Sequence, residues 1–327
     1  MLGLSLGLLL GVGGCQLLLG IDSREARAVD AGAAEASALD AAAADASTPD
    51  ADAGAAADVA DGGDGAPPST FPAAIAGDVV ALTPDSIVAE PSGEITAWRD
   101  VVSGTRKAES RSLAASAPLV AMVGGRRCAD FSRGSLLVLA DDGFLSSPSG
   151  ETSVLAVVQP SATLDNGDFG RAAVARTVST GAPAGTWYYS YRGYALFTEF
   201  RRLDRTSTES ERKYAARLEA SLETQSGVEV AEPTARPKGA PEELEAVALH
   251  VTGGQLYLHV GAQTYGPVAG STAQPAKADL LLGKVDADDD YSATGFKGKL
   301  CAVVVHHGPQ TTAEVRARLA TLRAAFR

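Results

Sequence analysis

Aromatic residues are scarce in this chain of 327 residues, and one short stretch, residues 187–194, contains five of them. Saccharides bind proteins by stacking their apolar ring faces on aromatic side chains, while neighbouring polar groups hold the hydroxyls. Alternation along a strand would turn about half of these rings into a core instead, so packing explains the cluster equally well. The side chains predicted to contact a ligand are Trp187, Tyr189 and Tyr191.

Residues 245–265 extend this candidate binding surface. Apolar and polar residues alternate on both sides of the glycine pair 253–254, a pattern typical of a β-hairpin. A two-residue turn places Val251 opposite Leu256 on the core side of the hairpin. The opposite face then carries three rings, which complete the predicted ligand-binding set: His250, Tyr257 and His259.

Two further clusters have the residue types of metal ligands. Calcium prefers hard oxygens of the kind supplied by Asp286, Asp288, Asp289 and Asp290, but the spacing is not that of an EF-hand. A solvated turn is the favoured interpretation, and calcium is the one cofactor that the sequence suggests. The pair at 306–307 offers imidazoles to zinc. Neighbours in a strand point to opposite faces, so a structural role is expected there.

The acidic balance of the chain is concentrated in one segment. Of 40 acidic residues, nine lie in residues 28–66, which contain no Lys or Arg, so the remaining 31 face 28 basic residues. No basic stripe remains to hold phosphates, and nucleic acid is excluded as an expected partner. The composition also excludes a polytopic membrane protein, a disulfide mini-scaffold and a fully disordered chain.

The amino-terminal residues predict export. Residues 1–14 are uncharged and leucine-rich, as in a secretory signal peptide, and residues 12–15 (VGGC) resemble a bacterial lipobox. The resemblance implies a lipid on Cys15, and Gln16 after it implies delivery to the outer membrane. An uncleaved anchor is the alternative, since residues 17–21 are apolar too. We predict a signal peptide at 1–14, a disordered Ala/Asp-rich tether at 15–69 and a domain at 70–327.

The domain is predicted from short alternating or apolar runs. Expected strands, besides the hairpin, are residues 135–140, 152–159, 280–283 and 299–306. Residues 207–224 fit a helix or a strand equally well. Residues 311–326 predict a terminal helix, because an apolar stripe follows the capping-box pair Thr311 and Glu314. Many short strands and one late helix indicate an all-β fold, an antiparallel jelly-roll β-sandwich with a short C-terminal helix.

Four segments resemble the concanavalin A-like, laminin-G-type jelly-roll domains of exported bacterial proteins. They occur in the family's order, at residues 97–104 (AWRDVVSG), 127–132 (RCADFS), 245–261 and 281–300. In such domains the early and late strands lie side by side. For Cys128 and Cys301, in an oxidising compartment, a disulfide is therefore favoured, and two buried free thiols are the alternative.

The function expected from these patterns is binding. A glycanase of this family would carry its carboxylates as E-x-D-x-x-E on one strand, and that motif is absent, as are G-x-S-x-G and H-E-x-x-H. No catalytic residue is predicted. We expect a surface-anchored, non-catalytic binding or adhesion lipoprotein whose partner is a glycan or an envelope protein. The alternatives are an exported polysaccharide-degrading enzyme and a purely structural envelope component.

Overall fold

Antiparallel strands and one helix make up most of the described chain. The computed structural model describes residues 71–111, 116–161, 172–181, 190–202, 209–219, 225–231, 236–237, 243–269, 277–284 and 295–327. The first strands are β1 (Asp78–Ala89), β2 (Ile95–Asp100), β3 (Lys107–Ser110), β4 (Leu119–Val123), β5 (Arg126–Asp130), β6 (Leu137–Leu139), β7 (Thr152–Pro160) and β8 (Ala172–Gly181). They are followed by β9 (Ser190–Arg202), β10 (Glu209–Glu219), β11 (Gln225–Ala231), β12 (Arg236–Pro237), β13 (Glu245–Thr252), β14 (Gln255–Val260), β15 (Gln263–Ala269), β16 (Leu280–Leu282), β17 (Gly298–His307) and the helix α1 (Thr312–Ala324).

The strands pair into two antiparallel layers. The first sheet has the order β1-β17-β7-β13-β14-β15. The second sheet has the order β3-β6-β16-β8-β9-β10-β11. Strand β2 pairs with both β1 and β3 and so joins the two layers. The predicted all-β antiparallel sandwich is confirmed, whereas membership of the concanavalin A-like family stays a prediction.

The main core lies between the two sheets. Alternate residues point inward from each strand, so that Val303 and Val305 of β17 meet Tyr194 and Leu196 of β9 in one buried cluster. Val304 points the other way and is buried beneath α1. The valine run of β17 is therefore covered on both faces, as its unbroken apolar sequence predicts.

Helix α1 begins and packs as its sequence predicts. The Thr311 hydroxyl accepts a hydrogen bond from the Glu314 amide at 3.2 Å, and the Glu314 carboxylate accepts one from the Thr311 amide at 2.7 Å. Val315, Leu319 and Leu322 are buried against the outer face of the first sheet. This helix is the cover of that face, and no helix among the described residues is long and apolar enough to cross a membrane.

A disulfide lies beneath α1. Cys128 of β5 and Cys301 of β17 are bonded across 173 residues of sequence, and both belong to the apolar cluster under the helix. The favoured pairing is confirmed, and the alternative of two free thiols is wrong. The bond ties the early strand β5 to β17, which lies between β1 and β7 in the first sheet.

The ambiguous stretch at 207–224 contributes a strand where it is described. Residues Glu209–Glu219 form β10, paired with β9 along its length, and the helical interpretation is wrong there. Tyr214 and Leu218 lie on the side of β10 that faces the other sheet, and both are buried in the main core. Several predicted features lie outside the described residues: the signal peptide at 1–14, Cys15, the tether at 15–69, Trp187, Tyr189 and the aspartates 286, 288, 289 and 290.

Candidate functional site

The predicted hairpin forms with the expected register but not with an open outer face. His250 pairs with Tyr257, and Val251 pairs with Leu256 across the glycine turn. His250 and His259 are only 1% and 0% exposed, whereas Tyr257 is half-buried. Tyr191 lies in β9 of the second sheet, apart from this hairpin in the sheet order.

A hydrogen-bonded chain runs through the two buried imidazoles. His250 Nε2 lies 3.0 Å from the Gln310 carbonyl oxygen, which can only accept, so His250 donates there. Its Nδ1 must then accept from His259 Nε2 at 3.3 Å. His259 Nδ1 in turn accepts from the Thr264 hydroxyl at 3.0 Å. One neutral tautomer of each ring satisfies the whole chain.

The expectation of a ligand surface over these two imidazoles needs correction. Gln310 precedes α1 and covers His250, so the polar face of the hairpin became an interior contact for the end of the chain. Tyr257 stacks on the His250 ring at 5.6 Å between centroids and keeps part of its surface open. Of the three hairpin rings, only Tyr257 could touch a ligand without rearrangement.

Both imidazoles resist protonation. Burial lowers the pKa of His259 to about 4, helped by the charges of His250 and Arg316. Burial also lowers the pKa of His250, although its bond to the Gln310 carbonyl opposes the shift. These rings are neutral at physiological pH and hold α1 to the hairpin as uncharged hydrogen-bonding groups.

The residue types of a hydrolase triad meet nearby, without its geometry. Asp78 bonds His306 Nδ1 at 3.0 Å, and Ser153 lies across from His306 in the β7–β17 register. The buried Ser153 hydroxyl has no hydrogen-bond partner, so it lacks the contact with the imidazole that would activate it. Burial favours a higher pKa for Asp78, but hydrogen bonds from His306 and Arg318 outweigh it and lower that pKa. These residues fasten α1 to β1.

A second buried carboxylate is equally structural. Asp141 accepts a hydrogen bond from Arg176 at 3.0 Å and further bonds from the amides of Gly143, Leu145 and Ala278. Burial alone would raise the pKa of Asp141, but these donors lower it. No group of three or more metal-ligating side chains occurs within the described ranges.

An open groove of about 540 Å³ lies between α1 and the turn that joins β14 to β15. We call it the α1 groove. Its lining is made of small residues, among them Ala246, Gly261, Ala262, Ala317 and Ala320, and of three arginines, Arg316, Arg323 and Arg327. Small-molecule sites are concave and carry a few placed polar groups on an apolar lining, and the α1 groove has that character.

Glu245 supplies a carboxylate beside the groove. Its Oε1 lies 3.2 Å from the Arg323 guanidinium, and a Cβ added to Gly261 would lie 2.9 Å from the same oxygen. Gly261 also has a φ of +56°, which side-chain-bearing residues rarely adopt. The glycine therefore lets the turn approach the Glu245–Arg323 pair closely.

The arginines of this groove were not predicted to be part of a site. Arg316 and Arg323 are seven residues apart, which places them on one side of α1, and Arg327 follows just beyond the end of the helix. Alanines at 313, 317, 320 and 324 run beside them. Arginines and alanines together on the outward side of a predicted helix could have indicated a binding surface. The residues that lie opposite them belong to β13 and to the turn between β14 and β15, which are far away in sequence.

No protein-family model matches this chain, and no curated protein matches its sequence. Among solved structures, the chain is similar to a mutant Trypanosoma rangeli sialidase with trans-sialidase activity, at 13% identity over 77% of this chain and 34% of that one, with a TM-score of 0.47. It is similar to botulinum neurotoxin type C, from a structure of its interaction with gangliosides, at 7% identity over 75% of this chain and 51% of that one, with a TM-score of 0.44.

A third similar structure is domain 4 of a GH43 extracellular arabinanase from Geobacillus stearothermophilus, in complex with arabinotriose. Its identity is 14% over 74% of this chain and 98% of that domain, with a TM-score of 0.41. This chain spans about a third of the sialidase and about half of the neurotoxin chain.

Proposed function

We propose that this protein is a non-catalytic binding module whose ligand is a glycan. The observation that carries the proposal is the α1 groove, a recess large enough for several sugar rings, with Arg316 and Arg327 exposed at it and unused by the fold as described. An envelope protein is the second ligand class, and the half-buried Tyr257 ring would serve either.

The carboxylates support a binding role over hydrolysis. A glycosidase needs a carboxylic acid whose pKa is raised, so that it is still protonated when it meets the glycosidic oxygen. In the described part of the chain, the carboxyl groups with a shifted pKa are Asp78, Asp141 and Glu314, and all three pKa values are lowered. A polysaccharide-degrading enzyme is the competing proposal.

A saccharide screen tests this function. The chain would lack residues 1–14, carry Cys15→Ser, and be measured against neutral and acidic polysaccharides, with calcium and again with a chelator. We expect binding without release of shorter products. Product release would establish the competing enzyme, and binding lost with the chelator would assign calcium to the aspartates at 286–290. Absence of binding to every saccharide in the screen would contradict a glycan ligand.

We further propose that the domain is an outer-membrane lipoprotein anchored through Cys15. Cys15→Ser is expected to abolish incorporation of a fatty acid and to release the protein from the membrane fraction, because the thiol is the attachment point. Labelling of whole cells with an alkynyl palmitate measures this. The matched control is Cys128→Ala with Cys301→Ala, which should keep the label. Undiminished labelling of Cys15→Ser would refute the anchor.

A further inference from the structure

We propose that the α1 groove binds acidic saccharides, and that Arg316 and Arg327 hold their carboxylate groups. This inference rests on the proposed glycan-binding function and narrows it to one class of ligand and one site. A guanidinium offers a planar fork of N–H donors that matches a carboxylate in two parallel hydrogen bonds. Neutral sugars offer no such group.

The spacing of the arginines suits a chain with repeated charges. Arg316 lies in the second turn of α1, and Arg327 follows eleven residues later, just beyond the end of the helix at Ala324. Arg323 lies between them on the same groove. A single carboxylate can engage only one end of this row. A polymer that repeats a carboxylate along its length can engage both.

Two of the three guanidiniums are available. Arg323 is held by Glu245 at 3.2 Å, and Arg318, which points elsewhere, is paired with Asp78. The side chains of Arg316 and Arg327 are exposed, and they make no ion pair or hydrogen bond with any residue in the ranges that the structure covers. The charged side chains among the described residues that line the groove are three arginines, and the Glu245 carboxylate beside the groove offsets Arg323.

The small lining lets a sugar chain lie low in the groove. Ala317 and Ala320 are exposed on α1, and Gly261 and Ala262 face them from the turn. A pyranose ring can pack its apolar face on these methyl groups while its carboxylate reaches an arginine. The Glu245 carboxylate beside Arg323 can accept a hydrogen bond from a sugar hydroxyl.

A lipid surface fits the groove less well than a saccharide does. Proteins that lie on membranes insert large apolar side chains beside their basic residues. The exposed large apolar side chains of the described chain are Ile75, Val101, Val102, Met122, Val178 and Val268, and none of them lines the groove. The arginines also border a recess, which a flat headgroup surface would leave unfilled.

The experiment compares polygalacturonate with the same polymer fully methyl-esterified. Esterification removes the negative charge of each sugar and adds one methyl group, and it leaves the ring and the backbone of the polymer unchanged. With the chain that carries Cys15→Ser, we expect calorimetry to detect the acid form and a binding constant at least about tenfold weaker for the ester, the size of losing one charge-assisted hydrogen bond. Salt should weaken the binding of the acid form.

Three variants locate the site. Arg316→Gln with Arg327→Gln should weaken polygalacturonate binding at least about tenfold, by removing two charge-assisted contacts. Ala320→Phe should weaken it too, by filling the groove from an exposed position without changing any charge. Arg133→Gln, an exposed arginine outside the groove, is the matched control and should change nothing. All four substituted positions are exposed, so folding should be preserved.

The outcomes separate this inference from the function beneath it. Equal binding of the acid and the ester would overturn the inference while leaving a glycan-binding protein. Preference for the acid that survives both groove variants would also overturn it, because the site would be elsewhere. Binding to vesicles of anionic phospholipid, lost in the arginine variant, with no binding of polygalacturonate, would replace the saccharide by a membrane. If no saccharide binds, the proposed glycan-binding function itself is refuted.

Discussion

Removing the disulfide between Cys128 and Cys301 should strongly lower the free energy of unfolding of the domain. Replacing Cys128 and Cys301 by alanine opens a loop of 173 residues. The entropy that such a cross-link removes from the unfolded chain corresponds to about 5 kcal/mol, which is comparable with the whole stability of many domains. We expect the double variant to unfold at a much lower urea concentration than the parent.

The measurement is urea unfolding followed by circular dichroism, in a Cys15→Ser background so that only this cysteine pair is present. Reductant should lower the midpoint of the parent and leave the double variant unchanged, which separates the bond from the packing of the two side chains. Equal midpoints for the oxidised parent and the double variant would contradict a stabilising role.

Mild acid should destabilise the domain through the buried imidazoles. In the folded protein the pKa of His259 is lowered to about 4, while in the unfolded chain it returns to the ordinary histidine value of 6.5. Between these values the unfolded state binds a proton that the folded state refuses, so stability present above pH 6.5 is lost as the pH falls toward 4. The shift corresponds to about 3 kcal/mol from this one ring.

The surroundings of His259 disfavour a charged ring, because the site is buried and the charges that act on it are positive. It faces His250 at 3.3 Å, the Thr264 hydroxyl at 3.0 Å and the positive field of Arg316. Burial also lowers the pKa of His250 and of His307, which add to the loss in the same direction. The pKa values of Asp78 and Asp141 are also lowered, so the stability that these carboxylates contribute is lost only at a lower pH, below the ordinary aspartate pKa of 3.8.

Urea unfolding at a series of values from about pH 7.5 to about pH 4.5 measures this effect. His259→Gln should flatten the pH dependence even if it lowers stability at neutral pH, because the amide does not titrate. Glu314→Gln at the helix cap is the control and should keep the slope of the parent. A slope unaltered by His259→Gln would show that the acid sensitivity arises elsewhere.

Local features of the sequence predicted the elements that local physics decides. The glycine turn at 253–254 sets the hairpin register, and Thr311 with Glu314 sets the start of α1. The outward face of the hairpin could not be predicted, because α1 comes to cover it from about fifty residues away. The same contact decides that His250 is interior, which alternation along a strand cannot distinguish from exposed.

The candidate site was predictable only in part. Tyr257 was identified by its residue type and keeps an open edge, but it does not line the α1 groove, and the arginines of the groove were overlooked because a basic outward face is ordinary for a helix. The arginines form part of a groove only because other residues of the fold lie opposite them. The turn at Gly261 and Ala262 converts one side of a helix into one wall of a recess, and only the folded chain brings the two together.

The position of β17 constrains the order in which this domain can be made. It lies between β1 and β7, yet it follows them by well over a hundred residues of sequence. A chain that emerges amino end first from a ribosome delivers both neighbours long before the strand that separates them. Contacts between distant parts of a chain form slowly, and the pairing of β17 with β1 and β7 cannot begin until β17 has emerged. The first sheet is therefore completed only when the last strand of the chain has been made.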